Sequence, residues 1–172
     1  PPAIERHTLP LDPLSLHPVA AEVVVGHDAQ SVRHRDGGHR VEHVPAVEFL
    51  EGALADLEFA RHAVAGIDYV LHQAALPSVP RSVKDPITSN RANVDATLNV
   101  LVAARDAGVR RVVFAGSSSA YGNTLTSPKH EDLPTSPLSP YALQKLVGEQ
   151  YLQMFTSLYG LETVTIRYFN VF

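Results

Sequence analysis

From Ala46 onward, short apolar, β-branched runs alternate with stretches of helical spacing, and no other feature limits the fold as much. Residues 46–50 form a short apolar run before Gly52. Residues 54–64 carry Leu54, Leu57, Ala60 and Val64 at helical spacing and stop before Gly66. Residues 67–73 then read as a strand with Tyr69, Val70 and Leu71 inside. A second helix is predicted over 90–107 on Val94, Leu98, Leu101 and Val102, ended by Gly108. Residues 111–115 return to strand, and a Pro- and Ser-containing loop follows over 122–138. Ser139 is a good N-cap, with Pro140 at the first helical position. That helix runs to about Tyr159 on Leu143, Leu146, Val147, Tyr151, Phe155 and Leu158, and Gly160 ends it. Residues 162–167 are β-branched and strand-like. Strand–helix repetition of this kind predicts an α/β fold, a doubly wound parallel sheet covered on both faces. Ligands of such sheets sit beyond the carboxyl ends of the strands.

The first 45 residues do not share this pattern. Six of the 9 histidines lie there: His7, His17, His27, His34, His39 and His43. Only residues 21–25 look like a strand, ended by Gly26, and Gly37-Gly38 signals a turn. The composition predicts a poorly ordered arm over 1–45 and a domain over 46–172. His39 and His43 are four apart with His34 near, a spacing that binds metal on a helix. The glycines and the missing helical period favour solvated histidines, and no metal site is expected. A chain of 172 residues allows one domain with a real core. It begins Pro1-Pro2 without Met and stops at Asn170-Val171-Phe172 in mid-pattern, so it reads as a piece of something longer.

Composition also removes whole function classes. There is no Cys, which excludes disulfide scaffolds, thiol nucleophiles and zinc–thiolate sites. A net charge of −4 gives no basic footprint for nucleic acid. No run approaches the ~20 apolar residues of a membrane span, and the N-terminus lacks signal-peptide character. A cytoplasmic protein is expected.

Tyr141 and Lys145 are four apart at the start of a predicted helix, which places them on one face. A phenol is a poor base at neutral pH, but a neighbouring ammonium lowers its pKa by ~1–3 units. The pair can therefore act as a base; by itself it is equally well a packing Tyr beside a surface Lys. Ser117-Ser118-Ser119 directly follows the apolar strand Val112-Val113-Phe114-Ala115, where a ligand should bind, although an ordinary Ser turn looks the same. A hydroxyl, a phenol and an ammonium converging on one alcohol suit hydride chemistry with a nicotinamide acceptor.

Three blocks make the resemblance specific. Ser-Ser-Ser-Ala-Tyr-Gly (117–122), Ser-Pro-Tyr-Ala-Leu-Gln-Lys (139–145) and Arg-Tyr-Phe-Asn-Val-Phe (167–172) resemble the extended short-chain dehydrogenase/reductases. Within these, the chain is similar to the NAD-dependent nucleotide-sugar epimerases. His72-Gln73-Ala74-Ala75 and Pro77-Ser78-Val79-Pro80-Arg81-Ser82 resemble the branch acting on UDP-glucose and UDP-N-acetylhexosamines. The resemblance covers about residues 46–172 and implies a partial NAD(P)-binding, Rossmann-like domain, incomplete at both ends. It implies Tyr141 as catalytic acid/base, Lys145 as its partner and holder of the nicotinamide ribose, and Ser117 as the group that hydrogen-bonds the reacting hydroxyl. It further implies Ala74, Ala75, Asn93 and Tyr168 on the cofactor, and Ser78, Arg81, Ser118, Ser119 and Asn170 toward a UDP-sugar. It also implies a homodimer through the 90–107 and 139–159 helices, with Val100, Ala104, Met154 and Tyr159 as the extra apolar residues.

Dehydratases and decarboxylases of this family carry an acid just after the catalytic hydroxyl. Ser118, Ser119 and Ala120 stand there instead, which favours 4-epimerisation. The alternatives are a dehydratase, decarboxylase or reductase of the same family, or a non-catalytic chain that no longer binds NAD. Two departures stand out. Gly26, Gly37 and Gly38 lack the spacing of the Gly-rich turn that holds a dinucleotide pyrophosphate. Gly52-Ala53 also stands where the family has Gly-Asp.

Overall fold

The computed structural model describes residues 23–26 and 50–170. The expected strand at 46–50 lies outside them except for Leu50, as do the His34, His39 and His43 group and most of the predicted arm. The elements in chain order are β1 (Val23–Gly26), α1 (Leu57–Ala63), β2 (Tyr69–His72), α2 (Val79–Lys84), α3 (Pro86–Asn90), a π-helical turn (Arg91–Asp95), α4 (Ala96–Asp106), β3 (Arg111–Ser117), a 3₁₀ turn (Ser118–Tyr121), α5 (Pro140–Tyr159) and β4 (Glu162–Tyr168). The sheet order is β1-β2-β3-β4. Strands β2, β3 and β4 are parallel, in register at Val70↔Val112 and Ser117↔Tyr168. The α/β parallel sheet expected from the sequence is therefore present. Among the described residues its antiparallel member is β1, which pairs Val23 with His72 and Gly26 with Tyr69. An antiparallel edge on a parallel sheet is a common arrangement.

The core lies between the sheet and helices α1, α4 and α5. It is built on Leu54, Val64, Val70, Leu101, Val112, Phe114, Leu152 and Phe155. The sequence reading put Tyr69 and Leu71 inside as well, but both are exposed while Val70 is buried. Strand side chains alternate, and only the Val70 face of β2 meets the core helices. Leu71, Val164 and Ile166 are exposed on the opposite face of the sheet, so cover on both faces is not seen among the described residues.

Local signals fix the helix ends. Asp56 caps α1, its Oδ1 accepting from Glu58 N at 2.8 Å, so that helix starts later than the Leu54 expected. For α5, Ser139 Oγ accepts from Ala142 N at 3.1 Å, Pro140 opens the helix, and Gly160 closes it at φ 71°. Helix α5 lies against β3 because Gly148 has no side chain: a Cβ there would stand 2.8 Å from Phe114 Cζ. Gly122, at φ +60°, lets the 122–138 loop fold back, and Ser136 N donates to Ala120 O at 2.8 Å.

Candidate active site

The parallel strands end at His72, Ser117 and Tyr168 along one edge of the sheet. The Ser117 hydroxyl shares a 2.7 Å hydrogen bond with the Ser119 hydroxyl, and Ser119 N donates to Ser117 Oγ at 3.2 Å. Ser118 and Ser119 are half-buried in the 3₁₀ turn. Tyr141 sits in the first turn of α5 with its phenol toward Ser117. Lys145, one turn on, is 4% exposed; its Nζ donates to Ala115 O at 2.8 Å and stands 4.8 Å above the Phe114 ring. Ser117, Tyr141 and Lys145 thus meet at the carboxyl end of β3, with Tyr168 opposite Ser117 on β4.

The electrostatics differ from the sequence expectation. Burial pushes the Tyr141 phenol above its ordinary pKa, and the neighbouring Ser117 hydroxyl only partly offsets this. Burial pulls the Lys145 ammonium down to about 8. The expected lowering of the phenol by Lys145 is absent because the ammonium is directed at Ala115 O and Phe114. Burial disfavours the charged form of each group, so the phenol rests protonated. The two N–H bonds of Lys145 not used on Ala115 have no acceptor among the described residues, which suits a diol or phosphate ligand.

The other expected residues fall as follows. Ala74 and Ala75 are half-buried in the segment after β2. Asn93 is 2% exposed, and its amide is spent on the protein: Oδ1 accepts from Leu76 N at 2.7 Å, and Nδ2 donates to Gln144 Oε1 at 2.8 Å. Ser78 caps α2, its Oγ accepting from Arg81 N at 3.2 Å. Arg81 is exposed on that helix, and Asn170 is exposed beyond β4. Of the apolar residues expected to face a second copy, Met154 and Tyr159 are exposed, but Val100 and Ala104 are core. Both lie on the face of α4 turned to the chain's own interior.

Several residues around the site were not singled out from the sequence. His72 is buried, with Nε2 2.9 Å from Thr97 Oγ1, and burial lowers its pKa to about 3, assisted by the Lys145 charge. Thr97 spends its own proton on Asn93 O at 2.7 Å, so His72 donates through Nε2–H and carries its lone pair on Nδ1. Arg167 makes a bidentate pair with Glu149 at 2.6 and 2.9 Å and lies 4.8 Å over the Tyr121 ring. This pair binds β4, α5 and the 3₁₀ turn together under the site. His72 and Arg167 stood inside the quoted motifs, but no local spacing revealed their partners.

A parallel sheet with serine at a strand's carboxyl end, and tyrosine and lysine one turn apart on the next helix, defines a Rossmann-like domain of the short-chain dehydrogenase/reductase kind. The chain belongs to the NAD dependent epimerase/dehydratase family, whose model matches residues 19–172. That match reaches further back than the motifs do. The UDP-glucose 4-epimerase of Mycolicibacterium smegmatis is 38% identical over 151 residues, covering 87% of this chain and 48% of that relative. The structure of a UDP-N-acetylglucosamine 4-epimerase from Methanobrevibacter ruminantium M1, in complex with UDP-N-acetylmuramic acid, superposes with a TM-score of 0.69 at 41% identity, covering 72% of this chain and 39% of that one. The UDP-glucose 4-epimerase of Brucella ovis, in complex with NAD, gives 0.69 at 34% identity over 72% of this chain and 38% of its own. The chain therefore spans less than half of each of these proteins.

Proposed function

We propose that this chain carries the catalytic residues of an NAD-dependent nucleotide-sugar 4-epimerase acting on a UDP-hexose or UDP-N-acetylhexosamine. The observation that carries this is the meeting of the Ser117 hydroxyl, the Tyr141 phenol and the buried Lys145 ammonium at the end of β3, in a chain of this family. The half-satisfied ammonium fits a nicotinamide ribose. In this reading Lys145, Tyr141, Tyr168, Ala74, Ala75 and, through Leu76, Asn93 hold NAD. When bound, NAD accepts and returns hydride at the sugar's C4 and, when oxidised, adds positive charge that favours the phenolate. Ser117 hydrogen-bonds the 4′-hydroxyl. Tyr141 takes its proton and later returns it to the keto oxygen, so one group serves both directions. Ser78, Arg81, Ser118, Ser119 and Asn170 stand on the UDP-sugar side. A cytoplasmic location belongs to the same reading.

Epimerisation is favoured over dehydration because Ser118, Ser119 and Ala120 offer no carboxylate beside Ser117. The buried Glu149 is committed to Arg167. We also propose a homodimer that covers the outer faces of the 86–106 and 140–159 helices. Ile87, Leu143, Met154 and Leu158 are exposed there, and exposed apolar faces of this kind commonly mark contact surfaces.

The test is to give the complete protein UDP-glucose and UDP-N-acetylglucosamine with NAD and to follow the C4 epimer by NMR. Tyr141→Phe removes only the phenol oxygen and should abolish turnover while leaving the fold unchanged. Near-normal turnover in that variant, or a 4-keto product from the wild type, would sink this reading.

A further inference from the structure

The start of α5 is tied down by a set of buried hydrogen bonds. Tyr141 N–H is one of the donors that a helix start cannot satisfy from within. It donates to Ser82 Oγ at 3.1 Å, and Ser82 Oγ in turn donates to Val79 O at 2.8 Å. One turn further on, Gln144 is 5% exposed and lies between Tyr141 and Lys145 in sequence. Its Oε1 accepts from Ser89 Oγ at 2.8 Å and from Asn93 Nδ2 at 2.8 Å. Asn93 holds Leu76 by both backbone groups: Leu76 N donates to Oδ1 at 2.7 Å, and Nδ2 reaches Leu76 O at 3.4 Å. The π turn over Arg91–Asp95 has Asn93 at its centre. Such turns add a residue to the helix and recur at functional sites. Here it brings Asn93 to Leu76 while Thr97, four residues on, meets His72. Among the described residues, no buried side-chain N or O lacks a partner.

We propose that Gln144 is a positioning residue for proton transfer at Tyr141. Through Asn93 it fixes the separation between the first turn of α5 and the 73–76 segment. This rests on the proposed function, which puts the cofactor beside that segment. Breaking any of these buried hydrogen bonds leaves a buried polar group unpaired, so the network favours one geometry. Proton transfer needs such a geometry, and small displacements cost large factors in rate.

The test uses the complete protein with NAD and two variants. Gln144→Met keeps the length and removes the acceptor; Gln144→Glu keeps an acceptor oxygen. Gln144→Met should lower kcat by about tenfold or more, with KM changed by less than about threefold. Gln144→Glu should recover most of the loss. Equal kcat in wild type and Gln144→Met, or no recovery in Gln144→Glu, overturns the proposal. Two further readouts need no turnover. Hydrogen exchange at Leu76 N–H should quicken in Gln144→Met, and the Lys145 titration, followed by NMR at its Cε, should move up from about 8 as water enters. If the wild type epimerises no UDP-sugar, the functional reading falls, and these two measurements still decide the tether: no change in either overturns it. If Gln144→Met does not fold, Ser89→Ala removes one of the two donors and is read the same way.

Discussion

His72 is a buried imidazole with no room for a charge. Its pKa is lowered from 6.5 to about 3, first by burial and then by the Lys145 ammonium. As pH falls, the unfolded chain therefore takes up this proton before the folded one does. The stabilisation is full above about pH 6.5 and is lost as pH drops toward 3, on the order of 5 kcal/mol in all. Denaturant melts at a series of pH values should show His72→Gln flattening that slope by nearly one proton, ~1.4 kcal/mol per pH unit. An unchanged slope would mean that His72 titrates normally. At this scale the sequence was legible where chemistry and local spacing coincide. Ser117, Tyr141 and Lys145 were readable because a strand end and a helix start each announce themselves. Gln144, Ser82 and Ser89 were not, because their partners lie 51 to 59 residues away and nothing local marks the pairing. The Tyr141 phenol was read in the wrong direction for a similar reason: spacing shows that Lys145 is near, but not that its ammonium is bonded to a backbone carbonyl.

Helix α5 was legible nearly to the residue, since Ser139, Pro140 and Gly160 are strong end signals. Its buried face was less so. Leu143 and Leu158 were expected inside and are exposed, while Gln144, Lys145 and Glu149 are buried. A site at the helix start places polar residues on the inner face, which a hydrophobic period alone cannot reveal. Helices α2 and α3 were not anticipated, because each is short and opens next to a proline. The close approach of α5 to β3 makes a direct prediction. Gly148→Ala places a methyl 2.8 Å from the Cζ of Phe114, itself 1% exposed and unable to withdraw. The helix must move away, at ~1–3 kcal/mol. Lys145 lies over the same ring, so kcat should fall along with the melting temperature. A variant with wild-type melting and turnover would show that the helix has slack.

Across the whole molecule, the helices that build the site also present Ile87, Leu143, Met154 and Leu158 outward. Light scattering on the complete protein should therefore give a dimer, and Leu143→Glu with Met154→Glu should give a monomer. A wild-type monomer would remove that proposal. The parallel sheet was readable from alternation alone; the direction of β1 was not, because a lone strand carries no mark of its partner. The cofactor raises the sharpest question at this scale. The residues proposed to be catalytic, Ser117, Tyr141 and Lys145, are all present, yet the sequence offers no Gly-rich turn opening a helix. Gly26, Gly37 and Gly38 lack the spacing that lets backbone N–H groups reach a pyrophosphate. Two phosphate charges would then lose their charge-assisted hydrogen bonds, worth ~1.5–3 kcal/mol each. Losing two costs on the order of 10²–10⁴ in affinity. Contacts from Ala74, Asn93, Lys145 and Tyr168 do not replace them, since none supplies a cluster of backbone donors. Residues 1–172 by themselves should bind NAD weakly or not at all in a calorimetric titration. Micromolar affinity would mean that the first 45 residues build a phosphate site of another kind, and Lys145→Met would then weaken binding at the ribose end alone.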